Sequence, residues 1–118
     1  MIVEIKFLPG FKETTLPIIK LTKSRNGKTG TATFVFIKPT TFNKDSISLD
    51  SINGVQLIWE KNKIITKDVC IFFKKGNPFL LKSVFLFKNS REWFHFLTFM
   101  NAYSKETGLF FAETKSFF

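Results

Sequence analysis

Apolar and polar residues alternate from the start of the chain, with Val3, Ile5 and Phe7 on one side and Glu4 and Lys6 on the other. A period of two over Ile2 to Phe7 predicts a half-buried strand, and Pro9-Gly10 ends it. Ile18 to Lys23 alternates again, setting Ile19 and Leu21 against Lys20 and Thr22, and a Thr- and Phe-rich strand is expected from Thr31 to Lys38. The polar segment between them, Ser24-Arg25-Asn26-Gly27-Lys28-Thr29-Gly30, contains Asn-Gly. Both residues tolerate positive φ, so the two β-patterned runs should form a hairpin. Pro39 to Ser51 is weakly patterned and reads as a long connection. Strands resume at Val55 to Glu60 and Ile64 to Phe73, joined by Lys61-Asn62-Lys63, and Gly76-Asn77-Pro78 turns the chain into Phe79 to Lys88. That last strand is apolar on both faces, which places it inside a sheet.

The period then changes. Trp93, Phe96, Leu97, Met100 and Tyr103 recur at helical spacing, with Ser90 expected as N-cap and Gly108 as the C-terminal stop. Leu109 to Phe118 is a short aromatic tail. The pattern predicts an α+β fold of mainly antiparallel β-sheets with one long C-terminal helix packed on the sheet, a single domain over residues 1–118.

Composition refines this picture. A chain of 118 residues with 44% hydrophobic and 23% charged residues has the make-up of one globular domain. Seventeen Phe are more than such a core normally uses, so several rings are expected at the surface, available to a partner. The net charge of +9 comes from eighteen basic residues, of which only Arg25 and Arg91 are Arg. Proteins that read bases favour the planar fork of Arg. The abundance of Lys, Phe, Ile and Asn is what an AT-rich coding sequence produces, so the charge has two readings, compositional drift or a functional attraction. Cys70 is the single cysteine, which excludes an intramolecular disulfide and a cysteine metal cluster and points to a reducing compartment. The longest uninterrupted apolar run, Val69 to Phe73, falls far short of the ~20 residues that span a bilayer. A strand pattern that begins directly after Met1 leaves no room for a signal or transit peptide.

Catalytic chemistry is hard to assemble from these residues. Gly27-Lys28-Thr29 has the ending of a phosphate-binding loop, but Thr22 stands where the motif needs Gly and a strand pattern follows where it needs a helix. His95, the sole histidine, falls with Arg91 and Ala102 on the helix side opposite Trp93 and Met100, and is expected to be exposed. Cys70 sits in an apolar run and reads as a small packing residue. The carboxylates are scattered, with no tight pair of the kind that metal or glycosidase chemistry requires. No catalytic residue, metal ligand or cofactor site is assigned. Contact material stands out instead: Lys23, Arg25 and Lys28 in the hairpin loop, and Thr31 and Thr33 on the following strand. The two threonines are expected either at a sheet edge that a partner extends by strand addition, or paired within the hairpin and facing water. From the residues alone the chain is a basic α+β binding module.

Two segments carry a resemblance. Arg25-Asn26-Gly27-Lys28-Thr29-Gly30-Thr31-Ala32-Thr33-Phe34 is similar to the signature hairpin of the photosystem II reaction-centre W protein family, also called the photosystem II thirteen-kilodalton protein. Glu92-Trp93, Phe96, Phe99-Met100, Tyr103 and Gly108-Leu109 resemble its C-terminal helix, and Ile52-Asn53-Gly54 and Gly76-Asn77-Pro78 fall where its pattern has similar residues. The likeness runs from about Ile2 to Phe111. It implies a non-catalytic, cofactor-free assembly factor, monomeric when free and without nucleic acid. Such a factor binds inner-antenna and reaction-centre core subunits of immature photosystem II, peripherally, on the stromal face of the plastid thylakoid or the cytoplasmic face in cyanobacteria. Lys61 and Lys63 depart from a turn that is often acidic in the family, and Phe117-Phe118 is a further departure. A basic single-stranded nucleic-acid-binding module is the competing reading. Ala32, Phe34 and Phe36 lack the interleaved Lys that reading calls for.

Overall fold

The computed structural model of the protein describes residues 2–26, 28–43 and 49–109, and the backbone of Ala112–Lys115. Gly27 of the hairpin, residues 44–48 of the long connection and the aromatic end Phe117-Phe118 lie outside the described residues. The chain forms β1 (Val3–Leu8), β2 (Phe11–Glu13), β3 (Ile18–Lys23) and β4 (Gly30–Ile37), then two short 3-10 turns at Thr40–Asn43 and Leu49–Ser51. After these come β5 (Gly54–Trp59), β6 (Asn62–Thr66), β7 (Val69–Lys74), β8 (Asn77–Phe87), α1 (Ser90–Thr107) and β9 (Ala112–Lys115). One sheet has the order β2-β1-β5-β6 and the other β7-β8-β4-β3-β9. All pairings are antiparallel except β9, which lies parallel to β3.

Alternation decides which side of each strand is buried. Ile5, Phe7, Val55 and Leu57 of the first sheet meet Leu21, Phe34, Phe36 and Leu81 of the second, and Trp93, Phe96, Phe99 and Met100 of α1 join them in one core. Much of the Phe content goes here. Phe7 and Phe36 meet edge-to-face across the two sheets at 5.0 Å, and Phe87 stacks on Phe96 of the helix at 4.7 Å. β8 lies between β7 and β4, as expected, but only its inward face is covered, and Leu86 on the outward face is exposed.

Four sequence expectations are corrected. The run from Ile64 to Phe73 is not one strand: it splits at Lys67-Asp68 into β6 and β7, which belong to different sheets. The Thr66 hydroxyl donates to the Val84 carbonyl at 2.6 Å and accepts from the Asp68 amide at 3.1 Å, turning the chain from one sheet to the other. The helix N-cap is Asn89 rather than Ser90. Asn89 Oδ1 accepts from the Glu92 amide at 2.9 Å, while Glu92 Oε1 accepts from the Lys88 amide at 2.7 Å. The side-chain bond to the Glu92 amide is that of a residue three positions before it, as in a capping box, although the Glu92 carboxylate reaches one residue further back, to the Lys88 amide. Gly108 ends the helix as expected, at φ 76 and with its N–H on the Ser104 carbonyl. Part of the tail is paired, since Ala112–Lys115 adds β9 to the sheet. Cys70 is exposed rather than packed, because it points outward from an edge strand.

The long connection is tied down by one buried carboxylate. Glu13, 4% exposed, receives the amides of Thr15 (2.8 Å) and Thr40 (2.9 Å) and the Thr40 hydroxyl (2.8 Å) on one oxygen. Its other oxygen receives the Thr41 amide at 2.8 Å. Burial pushes this carboxyl up, but hydrogen bonds from Thr41, Thr15 and Thr40 outweigh it and hold the group below its ordinary value. The Thr41 hydroxyl has no partner of hydrogen-bond geometry, so the Thr41 contribution is assigned to its amide. Burial, and secondarily the charge of Glu13, push the Tyr103 hydroxyl up to about 12.

Candidate functional site: the signature hairpin and its outer face

The hairpin is built as its sequence predicts. β3 and β4 pair from Ile18↔Val35 to Lys23↔Gly30, and the loop between them closes on Ser24, whose amide donates to the Thr29 carbonyl at 3.0 Å. Asn26 organises the turn: its Oδ1 accepts from the Ser24 hydroxyl (2.6 Å) and the Lys28 amide (2.9 Å). A strand follows this loop, so no helix N-terminus stands where a phosphate-binding loop would need one.

The motif Gly30-Thr31-Ala32-Thr33-Phe34 divides by parity. Gly30, Ala32 and Phe34 point inward and are buried; Thr31 and Thr33 point outward and are half-buried. Gly30 lies directly against the Trp93 ring, where an added Cβ would meet Cε3 and Cζ3 at 2.4 Å. The two segments that carry the family resemblance are therefore in contact: the glycine of the hairpin makes the seat for the tryptophan of the helix.

β4 is not an edge. It is paired on both sides, to β3 and to β8, so Thr31 and Thr33 offer no free backbone for strand addition. That expectation is overturned, because β8 returns to β4 from the far end of the sequence. Among the two alternatives the threonines pair within the sheet and show their side chains on its outer face, Thr31 opposite Leu86 and Thr33 opposite Val84.

The loop cations do not stand alone. The register Gly30↔Phe87 brings the loop beside the start of α1, and Lys28, Lys88, Asn89, Ser90 and Arg91 line a shallow depression of about 500 Å³. Lys88 and Arg91 thus join Lys28 at one end of the second sheet, while Lys23 is the half-buried last residue of β3, opposite Gly30, rather than a loop residue, and Arg25 lies in the loop. Sequence reading missed Lys88 and Arg91 because they lie some sixty residues downstream; only the β4–β8 pairing connects them.

His95 is exposed, as expected, with its ring 4.9 Å from that of Trp59 and Nε2 3.4 Å from Asn62 Oδ1. It borders a slot of about 450 Å³ between β6 and the end of β8, with Glu92 at the same mouth. Cys70 is on β7 opposite Lys82, on the outer face, so the two residues are not brought together. Among the described residues no group of three or more His, Cys, Asp and Glu is placed to hold a metal ion. None of the described helices is long and apolar enough to cross a membrane.

Comparison with known proteins covers nearly the whole chain. A family model described as Psb28 protein matches residues 5–111. The chain is 36% identical over 112 residues to the photosystem II reaction center Psb28 protein of Guillardia theta, covering 95% of this chain and 97% of that one. It is 38% identical to the protein of that name from Synechocystis sp. over 112 residues, covering 95% and 98%. With the one from Nostoc sp. it shares 39% identity over 111 residues, covering 94% and 98%. The thirteen-kilodalton family that hairpin and helix resemble is Psb28, and this name replaces reaction-centre W.

Proposed function

The chain belongs to the Psb28 protein family, and from that premise we propose that it is a non-catalytic accessory protein that docks on immature photosystem II and assists its assembly or repair. The observation that carries this reading is the match, over 95% of the chain, to relatives named photosystem II reaction center Psb28 protein, and the family model spans both positions of the Gly30–Trp93 seat. In this reading the protein is a monomer when free, holds no cofactor and no nucleic acid, and binds inner-antenna and reaction-centre core subunits. It works peripherally at the stromal side of the plastid thylakoid, or the cytoplasmic side in a cyanobacterium. A peripheral attachment agrees with described helices that are not long and apolar enough to cross a membrane.

Lys23, Arg25 and Lys28 serve docking by electrostatic attraction, together with Lys88 and Arg91 beside them, while Thr31 and Thr33 belong to the contact face itself. Exposed charges of this kind mainly steer encounter and are screened by salt. Replacing Lys23, Arg25 and Lys28 together by Gln is expected to slow association with solubilised photosystem II complexes about three- to tenfold at low salt and to flatten its salt dependence. Dissociation should change much less. An unchanged low-salt association rate in the triple variant would remove the loop from the contact.

A further inference from the structure

The two sheets turn very different faces outward. On the first, Glu4 lies 3.7 Å from both Lys6 and Lys12, so charges of both signs meet there as on an ordinary solvated surface. β3, β4, β7 and β8 of the second sheet contain no Asp or Glu at all. Their outward positions are largely apolar: Ile18, Ile37, Phe72 and Leu86 are 60%, 43%, 46% and 68% exposed. Val35 and Val84 fill the space between them, and register places Ile18 beside Val35 and Ile37 in the row of Leu80 and Phe72. Ordinary strand spacing and rise give the whole face, its Lys and Thr positions included, roughly 500 Å², and its apolar part is in the range of the largest patches on monomers, which are often functional.

Among the described residues of these four strands, the charged groups on this face are Lys20 and Lys82. Lys20 is opposite Thr33 and Lys82 opposite Val35, so they stand two strands apart and two residues along, with Cα atoms about 12 Å from each other. We infer that this outer face is the principal docking surface of the protein, and that its partner is a protein surface that is apolar apart from carboxylates placed to meet Lys20 and Lys82. The inference rests on the docking reading above and gives it a location and a chemistry.

Charge selects this occupant over two others. A second copy of the chain, packed face to face about a two-fold axis, would bring lysines together with no carboxylate on these strands to answer them. A bilayer would take apolar side chains inward with cations at the rim, whereas Lys82 and Thr33 lie on the two inner strands of the face. A protein surface with fixed carboxylates satisfies both lysines and buries the apolar remainder.

The test uses purified full-length protein and photosystem II complexes from solubilised thylakoids. Lys20→Glu/Lys82→Glu should weaken binding about tenfold or more, and Leu86→Gln several-fold. Lys12→Glu/Lys63→Glu, which changes the net charge equally on the first sheet, should stay within about twofold of the unmodified protein. All three should melt within about 2 °C of it, because every altered side chain is exposed. If the unmodified protein binds and Lys20→Glu/Lys82→Glu binds equally well, the face is not the site and the docking reading survives. If the unmodified protein does not bind, the docking reading fails and this inference with it. Concentration-dependent dimerisation lost in Leu86→Gln would instead assign the face to a second copy. Binding to anionic-lipid vesicles free of protein, lost in the double charge reversal, would assign it to a bilayer. Either result overturns the inference.

Discussion

Gly30→Ala lowers the melting temperature by roughly 10 °C, a loss of about 3 kcal/mol. The new methyl carbon would sit 2.4 Å from two ring carbons of Trp93 and 3.1 Å from a third. The ring has no room to withdraw. It is 1% exposed and held between Phe87, at 5.6 Å, and Phe96, at 5.9 Å. Gly30 does not adopt the left-handed backbone, so space alone enforces glycine here. The cost is therefore conditional on Trp93. In the double variant Gly30→Ala/Trp93→Leu the clash disappears, and the two substitutions together should destabilise by clearly less than the sum of their separate effects. Thermal unfolding of the four proteins checks this. A Gly30→Ala protein melting within 2 °C of the original would contradict the seat, as would simple additivity.

Glu13→Ala is expected to cost about 3 kcal/mol or more, since it leaves three backbone amides without their acceptor in a closed environment. The same carboxylate gives the fold a definite acid dependence. The group is held below its ordinary value of 4.5 in the folded protein, so its contribution is complete above that pH and disappears as the pH falls through the lower folded value. Stability measured by urea unfolding between pH 6 and 3 should fall towards acid in the original protein. In Glu13→Gln it should be lower at pH 6 and flatter in that range. Equal slopes for the two proteins would show that other carboxylates carry the acid response.

Elements with a clean period were readable from residues alone. The strand around Ile5 and Phe7, the hairpin and the helix carrying Trp93, Phe96 and Met100 follow from alternation or helical spacing, and the interior position of β8 from its apolar residues on both faces. What escaped depends on contacts distant in sequence. The run from Ile64 to Phe73 has no Gly or Pro to mark the Lys67-Asp68 break, which is made by Thr66 reaching the Val84 carbonyl. Asn89 and Ser90 are both competent caps, and the reach of Glu92 chooses between them. β2 and β9, of three and four residues, are too short to show a period.

The candidate site was half legible for the same reason. Lys23, Arg25 and Lys28 were evident as a loop cluster, and Thr31 and Thr33 as outward residues. That β4 is an interior strand depends on its pairing with β8, and so does the approach of Lys88 and Arg91. The carboxylate-free outer face is likewise a property of four strands brought side by side. Each strand alone is a short mixture of apolar and polar residues and does not show which neighbours complete the face.

The proposed docking of this chain on immature photosystem II is tested most directly by purifying a tagged form from solubilised thylakoids and resolving what accompanies it. The expected result is co-purification of inner-antenna and reaction-centre core subunits in incomplete complexes, depleted of the fully assembled form and weakened by Lys20→Glu/Lys82→Glu. Recovery of the tagged protein without photosystem II subunits, or equal recovery of mature complexes, would contradict the account.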